Sequence, residues 1–179
     1  LANLTNCDAH LFHVSDIPTT TKTRGIGGHQ QMIRIDRDPE VAVDPKVIER
    51  ILEKVIELLP SVGALALSDY GKGVLCESLV KRLIEVAKEQ NVPVVVDPKG
   101  PNYEQYRGAK LITPNLRELS DATGLGLDSE IQIIHAAQLL RSSYAFETVL
   151  VTLSDKGMLL VDQESEIRWI DTVAQSVFD

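Results

Sequence analysis

Apolar residues along this chain follow two rhythms. Residues 92–96 (VPVVV) and 109–113 (AKLIT) are short apolar runs rich in Val and Ile, without polar alternation. Runs of that length read as strands buried on both faces. Each stops abruptly in polar residues built around a proline: Asp97-Pro98-Lys99-Gly100 after the first, and Thr113-Pro114-Asn115 at the end of the second. Two further runs, 64–67 and 148–152, end in the same manner, in Ser68-Asp69-Tyr70-Gly71-Lys72-Gly73 and in Leu153-Ser154-Asp155-Lys156-Gly157.

Between these runs the apolar spacing changes to three and four. Asp44-Pro45 supplies an N-cap and a first-turn proline, and Val47, Ile48, Ile51, Leu52, Val55, Ile56 and Leu59 keep one helical face apolar as far as Pro60. A second helix is predicted over 77–90, with Leu79, Val80, Leu83, Ile84 and Ala87 inward. A short helix over 116–123 stops at Gly124, and a longer one over 128–143 carries Ile131, Ile134 and Leu139 on its face.

Towards the start, 11–14 reads as a strand entering a turn. Segments 19–26 and 30–36 flank Gly27-Gly28, a hairpin signal. Its polar residues Lys22, Arg24, Gln30, Gln31 and Arg34 suit either a flap over a cleft or a solvated ribbon protected by charge. Segments 158–161 and 167–170 read as an antiparallel pair at the margin of the sheet. Strand-helix-strand repeats with right-handed crossovers predict an α/β fold, a mainly parallel sheet with helices on both faces and a small β-hairpin lid.

Composition narrows the function. A length of 179 residues, 44% hydrophobic and 25% charged, fits one soluble domain with a genuine core. A net charge of -8 argues against nucleic-acid and membrane-surface partners, so any phosphate recognition must be local. Cys7 and Cys76 are too few for a disulfide scaffold and read as small buried hydrophobes in a reducing cytoplasm. No apolar run approaches 18 residues and no basic, apolar leader opens the chain. The start at Leu1 and the stop after Val177-Phe178-Asp179 suggest a piece of something longer. His10, His13, His29 and His135 lack metal-ligand spacing and read as structural or surface residues.

Ligands of open parallel sheets bind at the carboxyl ends of the strands. Asn115-Leu116-Arg117-Glu118 has the spacing of a capping box, and at a strand end the same Glu can hold a hydrated Mg²⁺ beside a polyphosphate. Lys99 after its proline turn, and Lys72 in a loop with two glycines, are point charges suited to phosphate, or ordinary loop lysines. Thr152 to Gly157 is a polar turn at another strand end.

With these residues the chain resembles the ribokinase-like (PfkB) sugar kinases. The resemblance rests on PTTTKTR, HQQMIRID, GALALSDYGKG, VPVVVDPKG, YEQYRGAKLITPNLRE and VTLSDKGM, in that order over essentially the whole chain. The SDY-x-KG and DPKG segments point to the heptose subgroup. The resemblance implies ATP and Mg²⁺ as cofactors, with Asn115 and Glu118 organising the metal through water and Leu116 and Arg117 beside the nucleotide. Thr152, Ser154 and Gly157 match the nucleotide-side loop, although Ser154 stands where many ribokinases have glycine. Lys99 is placed with the nucleotide residues, and Lys72, Asp69 and Arg24 with a sugar phosphate; either lysine could serve either phosphate.

The implied reaction is transfer of the ATP γ-phosphoryl to the anomeric hydroxyl of D-glycero-D-manno-heptose 7-phosphate, giving the 1,7-bisphosphate for ADP-heptose and lipopolysaccharide core synthesis. The family's catalytic aspartate belongs to a Gly-Ala-Gly-Asp motif expected beyond Asp179, and its amino-terminal sugar-binding segment has no counterpart here. The chain is thus expected to be a partial kinase domain, inactive alone, with no catalytic base of its own. Alternatives are a kinase for another sugar phosphate or a nucleoside, and a non-catalytic nucleotide-sensing domain of the same fold. The 19–36 hairpin is a candidate for pairing across a homodimer.

Overall fold

A computed structural model describes residues 7–14, 17–28, 30–38, 43–164 and 166–172. Two sheets are present. β1 (Thr21–Gly27) and β2 (Gln30–Arg37) form the expected hairpin, antiparallel, with a register shift between Gly25 and Ile26. Gly28, at φ 65°, makes the turn that a side chain would resist. His29 lies outside the described residues.

The second sheet has six strands in the order β3 (Leu65–Ser68), β4 (Val94–Asp97), β5 (Leu111–Ile112), β6 (Thr148–Thr152), β7 (Met158–Val161), β8 (Ile167–Ile170). β3 to β6 are parallel, and β7 and β8 continue antiparallel as a marginal pair. The segment 11–14, expected as a strand, is irregular, and Leu11 is 81% exposed. It pairs with no described strand, and an apolar run without a ladder partner has no cause to stay extended.

The helices are α1 (Pro45–Leu58), α2 (Glu77–Glu89), α3 (Leu116–Thr123) and α4 (Glu130–Tyr144). The Asp44 side chain caps α1 by accepting from the Lys46 amide at 2.8 Å. The inward face of α4 differs from the expected one. Ile131 is 79% exposed and Leu139 39%, and only Ile134 of the three packs on the core, whereas Ile133, Ala136, Ala137 and Leu140 are buried. Those four follow the i, i+3, i+4, i+7 stripe, and its two alanines let the helix lie close on the sheet. Alanine's small apolar area is what hid the stripe from the sequence.

Successive parallel strands all step the same way across the sheet, so right-handed crossovers bring α2 and the α3–α4 pair to one face. That face, with Leu67, Val94, Val96, Ile112, Val149, Val151, Leu159 and Val161, is buried. On the reverse face Val95, Leu111, Leu150 and Leu160 are half-buried and Ala66 is exposed, so among the described residues the two faces of the sheet are covered unequally. Cys76 is half-buried and Cys7 exposed, so the expectation of two buried cysteines fails. Among the described residues no helix is long and apolar enough to cross a membrane.

Candidate functional site

The carboxyl ends of β3 to β6 converge. After β5, Pro114 delivers Asn115 to the start of α3, and an isolated parallel bridge ties Asn115 to Thr152 at the end of β6. The capping box is complete: the Asn115 side chain accepts from the Glu118 amide at 2.9 Å, and Glu118 Oε2 accepts from the Asn115 amide at 3.0 Å. Glu118 Oε1 faces Lys99 Nζ at 3.3 Å, from the loop after β4. The glutamate side chain is 14% exposed and the lysine 56%, so the pair stands at the mouth of the site. A half-exposed pair of this length contributes at most about 1 kcal/mol and yields readily to a better partner.

Two clefts share Asn115 and Thr152. The larger, about 530 Å³, lies between the start of α3 and the β6–β7 turn, and Leu116, Arg117, Ser154 and Gly157 line it together with Asp171 and Thr172. The smaller, about 310 Å³, holds Asp69, Tyr70, Asp97, Lys99, Thr113 and Glu118. Eight of the expected site residues, Asn115, Leu116, Arg117, Glu118, Thr152, Ser154, Gly157 and Lys99, thus line the clefts around α3, and Asp69 closes the far side. Gly157 is forced to be glycine: at φ 84° a Cβ would lie 2.0 Å from the Ile170 carbonyl oxygen. Ser154 adopts φ 56°, the left-handed conformation that glycine takes without strain.

The other expected substrate contacts sit on the far side of the smaller cleft. Lys72 is paired with Asp38 just past β2, and that ammonium holds the Asp38 carboxyl below its ordinary range. Lys22 lies over the Tyr70 ring at 5.8 Å from the centroid, so the hairpin leans on the loop after β3. Arg24 lies two residues further along the same strand face, opposite Arg34. The hairpin is less uniformly polar than its sequence suggested: Lys22, Arg24, Arg34 and Asp36 share one face, and Ile33 and Ile35, 55% and 56% exposed, share the other.

Asp69 is only 8% exposed, and both its oxygens are engaged, accepting from the Gly71 amide at 2.7 Å and the Tyr106 hydroxyl at 2.6 Å. In this arrangement it braces the loop. Tyr106 itself was missed by sequence reasoning, as were Tyr70, Asp171 and Thr172. The only signal for Tyr106 was a second aromatic three residues after Tyr103 in a segment too short for an amphipathic helix.

The donor set fits a metal only in a particular way. No cluster of three or more His, Cys, Asp or Glu side chains is placed to cage an ion among the described residues. One shielded carboxylate at a helix N-terminus, with backbone amides and a lysine beside it, instead fits a largely hydrated Mg²⁺ carried in with a polyphosphate.

Residues 6–179 match the pfkB family carbohydrate kinases. The chain is 45% identical over 161 residues to the bifunctional protein HldE of Paramagnetospirillum magneticum, covering 90% of this chain and 33% of that protein. It is 40% identical over 173 residues to the HldE protein of Haemophilus influenzae, covering 96% and 35%. The chain therefore spans about a third of the length of these curated relatives. Among solved structures it resembles Escherichia coli phosphofructokinase-2 in complex with potassium, with a TM-score of 0.73 at 21% identity over 89% of this chain and 52% of that one. It also resembles an Arabidopsis thaliana ribokinase complexed with ribose and ATP, with a TM-score of 0.66 at 21% identity over 90% and 53%. Those identities speak for the fold alone. The fold, the capping box at the end of β5 and the match over residues 6–179 together make this chain a member of the pfkB family of carbohydrate kinases.

Proposed function

We propose that the protein transfers the γ-phosphoryl group of ATP to the anomeric hydroxyl of a heptose 7-phosphate. The observation that carries this reading is the Asn115–Glu118 box, set between two clefts and facing Lys99. In it the larger cleft takes the nucleotide, with Arg117 and the 152–157 turn along its phosphates, and the smaller one takes the phosphoryl group and the sugar. Glu118 and Asn115 would hold a hydrated Mg²⁺, and Lys99 would exchange Glu118 for a phosphate oxygen. Bound Mg²⁺ would supply charge neutralisation between the phosphates. Lys72 and Arg24 reach the sugar's own phosphate from the hairpin side, with Asp69 holding the loop that carries Lys72.

The heptose assignment rests on the SDY-x-KG and DPKG segments, which the structure brings to adjacent strand ends. The hairpin pairs with that of a second copy through its apolar face, where Ile33 and Ile35 stand exposed. Glu118→Gln in the complete protein tests the site. It keeps an oxygen for the cap but loses the charge, and should lower kcat by roughly 10²-fold while thermal stability changes little. Unchanged kcat would reduce Glu118 to a helix cap.

A further inference from the structure

The hydroxyl of Tyr106 sits where three chain segments meet. Tyr106 ends a 3₁₀ turn, Tyr103–Tyr106, that crosses from β4 towards β5, and its ring is fully buried edge-to-face against Tyr103 at 6.0 Å. The hydroxyl donates to Asp69 at 2.6 Å, after β3, and accepts the Lys99 amide at 3.3 Å, after β4. The Lys99 carbonyl oxygen, 3.4 Å away, is a second possible acceptor, but one proton serves one short bond and the carboxylate takes it. Asp69 in turn accepts from Gly71, whose missing Cβ would touch Lys99 Cγ at 3.4 Å. The aliphatic stem of Lys99 is thus fixed at its backbone by Tyr106 and flanked by Gly71, and its ammonium arrives at Glu118.

We propose that Tyr106 is a positioning residue for phosphoryl transfer, its hydroxyl locking the loops after β3 and β4 together so that Lys99 is aimed at the Glu118 edge of the site. The chemical part rests on the proposed function; the positioning itself does not. The Asp69 amide also donates to the Asp97 carbonyl at 2.9 Å and the Ser68 hydroxyl lies 3.4 Å from Asp97 Oδ2 across the same strand ends, but among the hydrogen bonds of the described residues Tyr106 is the side chain that holds the Lys99 backbone. Tyr103 provides a matched control, because its hydroxyl is also buried and bonds to nothing among the described residues.

The test uses the complete protein as wild type, Tyr103→Phe, Tyr106→Phe, Lys99→Met and the Tyr106→Phe/Lys99→Met double variant. Tyr106→Phe should lower kcat/KM for Mg·ATP roughly tenfold, the scale of one lost buried hydrogen bond. In the Lys99→Met background the same change should cost nothing further, since it acts through Lys99. Tyr103→Phe should match wild type. A Tyr106→Phe variant that melts earlier but keeps wild-type kinetics overturns the proposal, as does a loss that multiplies with that of Lys99→Met. Hydrogen exchange separates this from the function itself. Amides of Gly71, Lys99 and Gly100 should exchange faster in Tyr106→Phe and not in Tyr103→Phe, even if the wild type transfers no phosphoryl group. Equal exchange in both variants overturns the positioning role; an inactive wild type overturns only the proposed function.

Discussion

Two tyrosines show how a buried hydroxyl acquires a consequence. Burial pushes the hydroxyls of Tyr103 and Tyr106 above the ordinary tyrosine range, with the Glu118 carboxylate as second cause for Tyr103 and the Asp69 bond for Tyr106. A folded pKa raised above the unfolded value of about 10 stabilises the fold fully below that pH, and the contribution is lost as pH rises through the raised values. Stability should therefore fall above pH about 10, and two of the four tyrosines should ionise only as the chain unfolds. Ultraviolet titration read alongside circular dichroism checks this; reversible ionisation of all four in a folded protein contradicts it. At this scale the sequence exposed the charged residues better than the uncharged one. Asn115, Glu118 and Lys99 announce themselves by type and by their place after apolar runs. Tyr106 does not, because its role depends on which loops flank it in space, and that is set by the order of strands.

At the scale of elements, alternation and punctuation were enough wherever a strand or helix satisfies itself locally. The Asp44 cap, the Asn115 box and the Gly124 stop are seen as expected, because each is a contact within four residues. The misjudged elements depend on partners elsewhere. Segment 11–14 has strand composition but no described neighbour to pair with, and the stripe of α4 was mistaken because its alanines are buried by proximity, which apolar size does not reveal. The hairpin belongs here too. Its charged face turns to the loop after β3, leaving Ile33 and Ile35 outward, and exposed apolar pairs on a free ribbon invite a partner. The complete protein should show twice its chain mass by light scattering, and Ile33→Lys/Ile35→Lys should halve it. A monomeric wild type contradicts the hairpin interface.

Across the molecule, the arrangement follows from one topological fact: four parallel strands taken in sequence order present all their carboxyl ends on one edge. Loops as far apart in the chain as those of Asp69 and Thr152 thereby share the smaller cleft, and Lys99 and Arg117 bring positive charge to an edge that also carries Asp69, Asp97, Glu118 and Asp171. In the proposed function the two clefts would divide the work between nucleotide and acceptor, and the Asn115–Thr152 bridge lies where they meet. Since this chain spans about a third of its curated relatives, the reaction is a property to be measured on the complete protein. The most direct measurement is phosphorus NMR of that protein with ATP, Mg²⁺ and D-glycero-D-manno-heptose 7-phosphate. The account predicts a new anomeric phosphate signal that grows only when the sugar is present, with ADP formed in step. ATP bound but left intact beside the heptose, or hydrolysed equally without it, would contradict it.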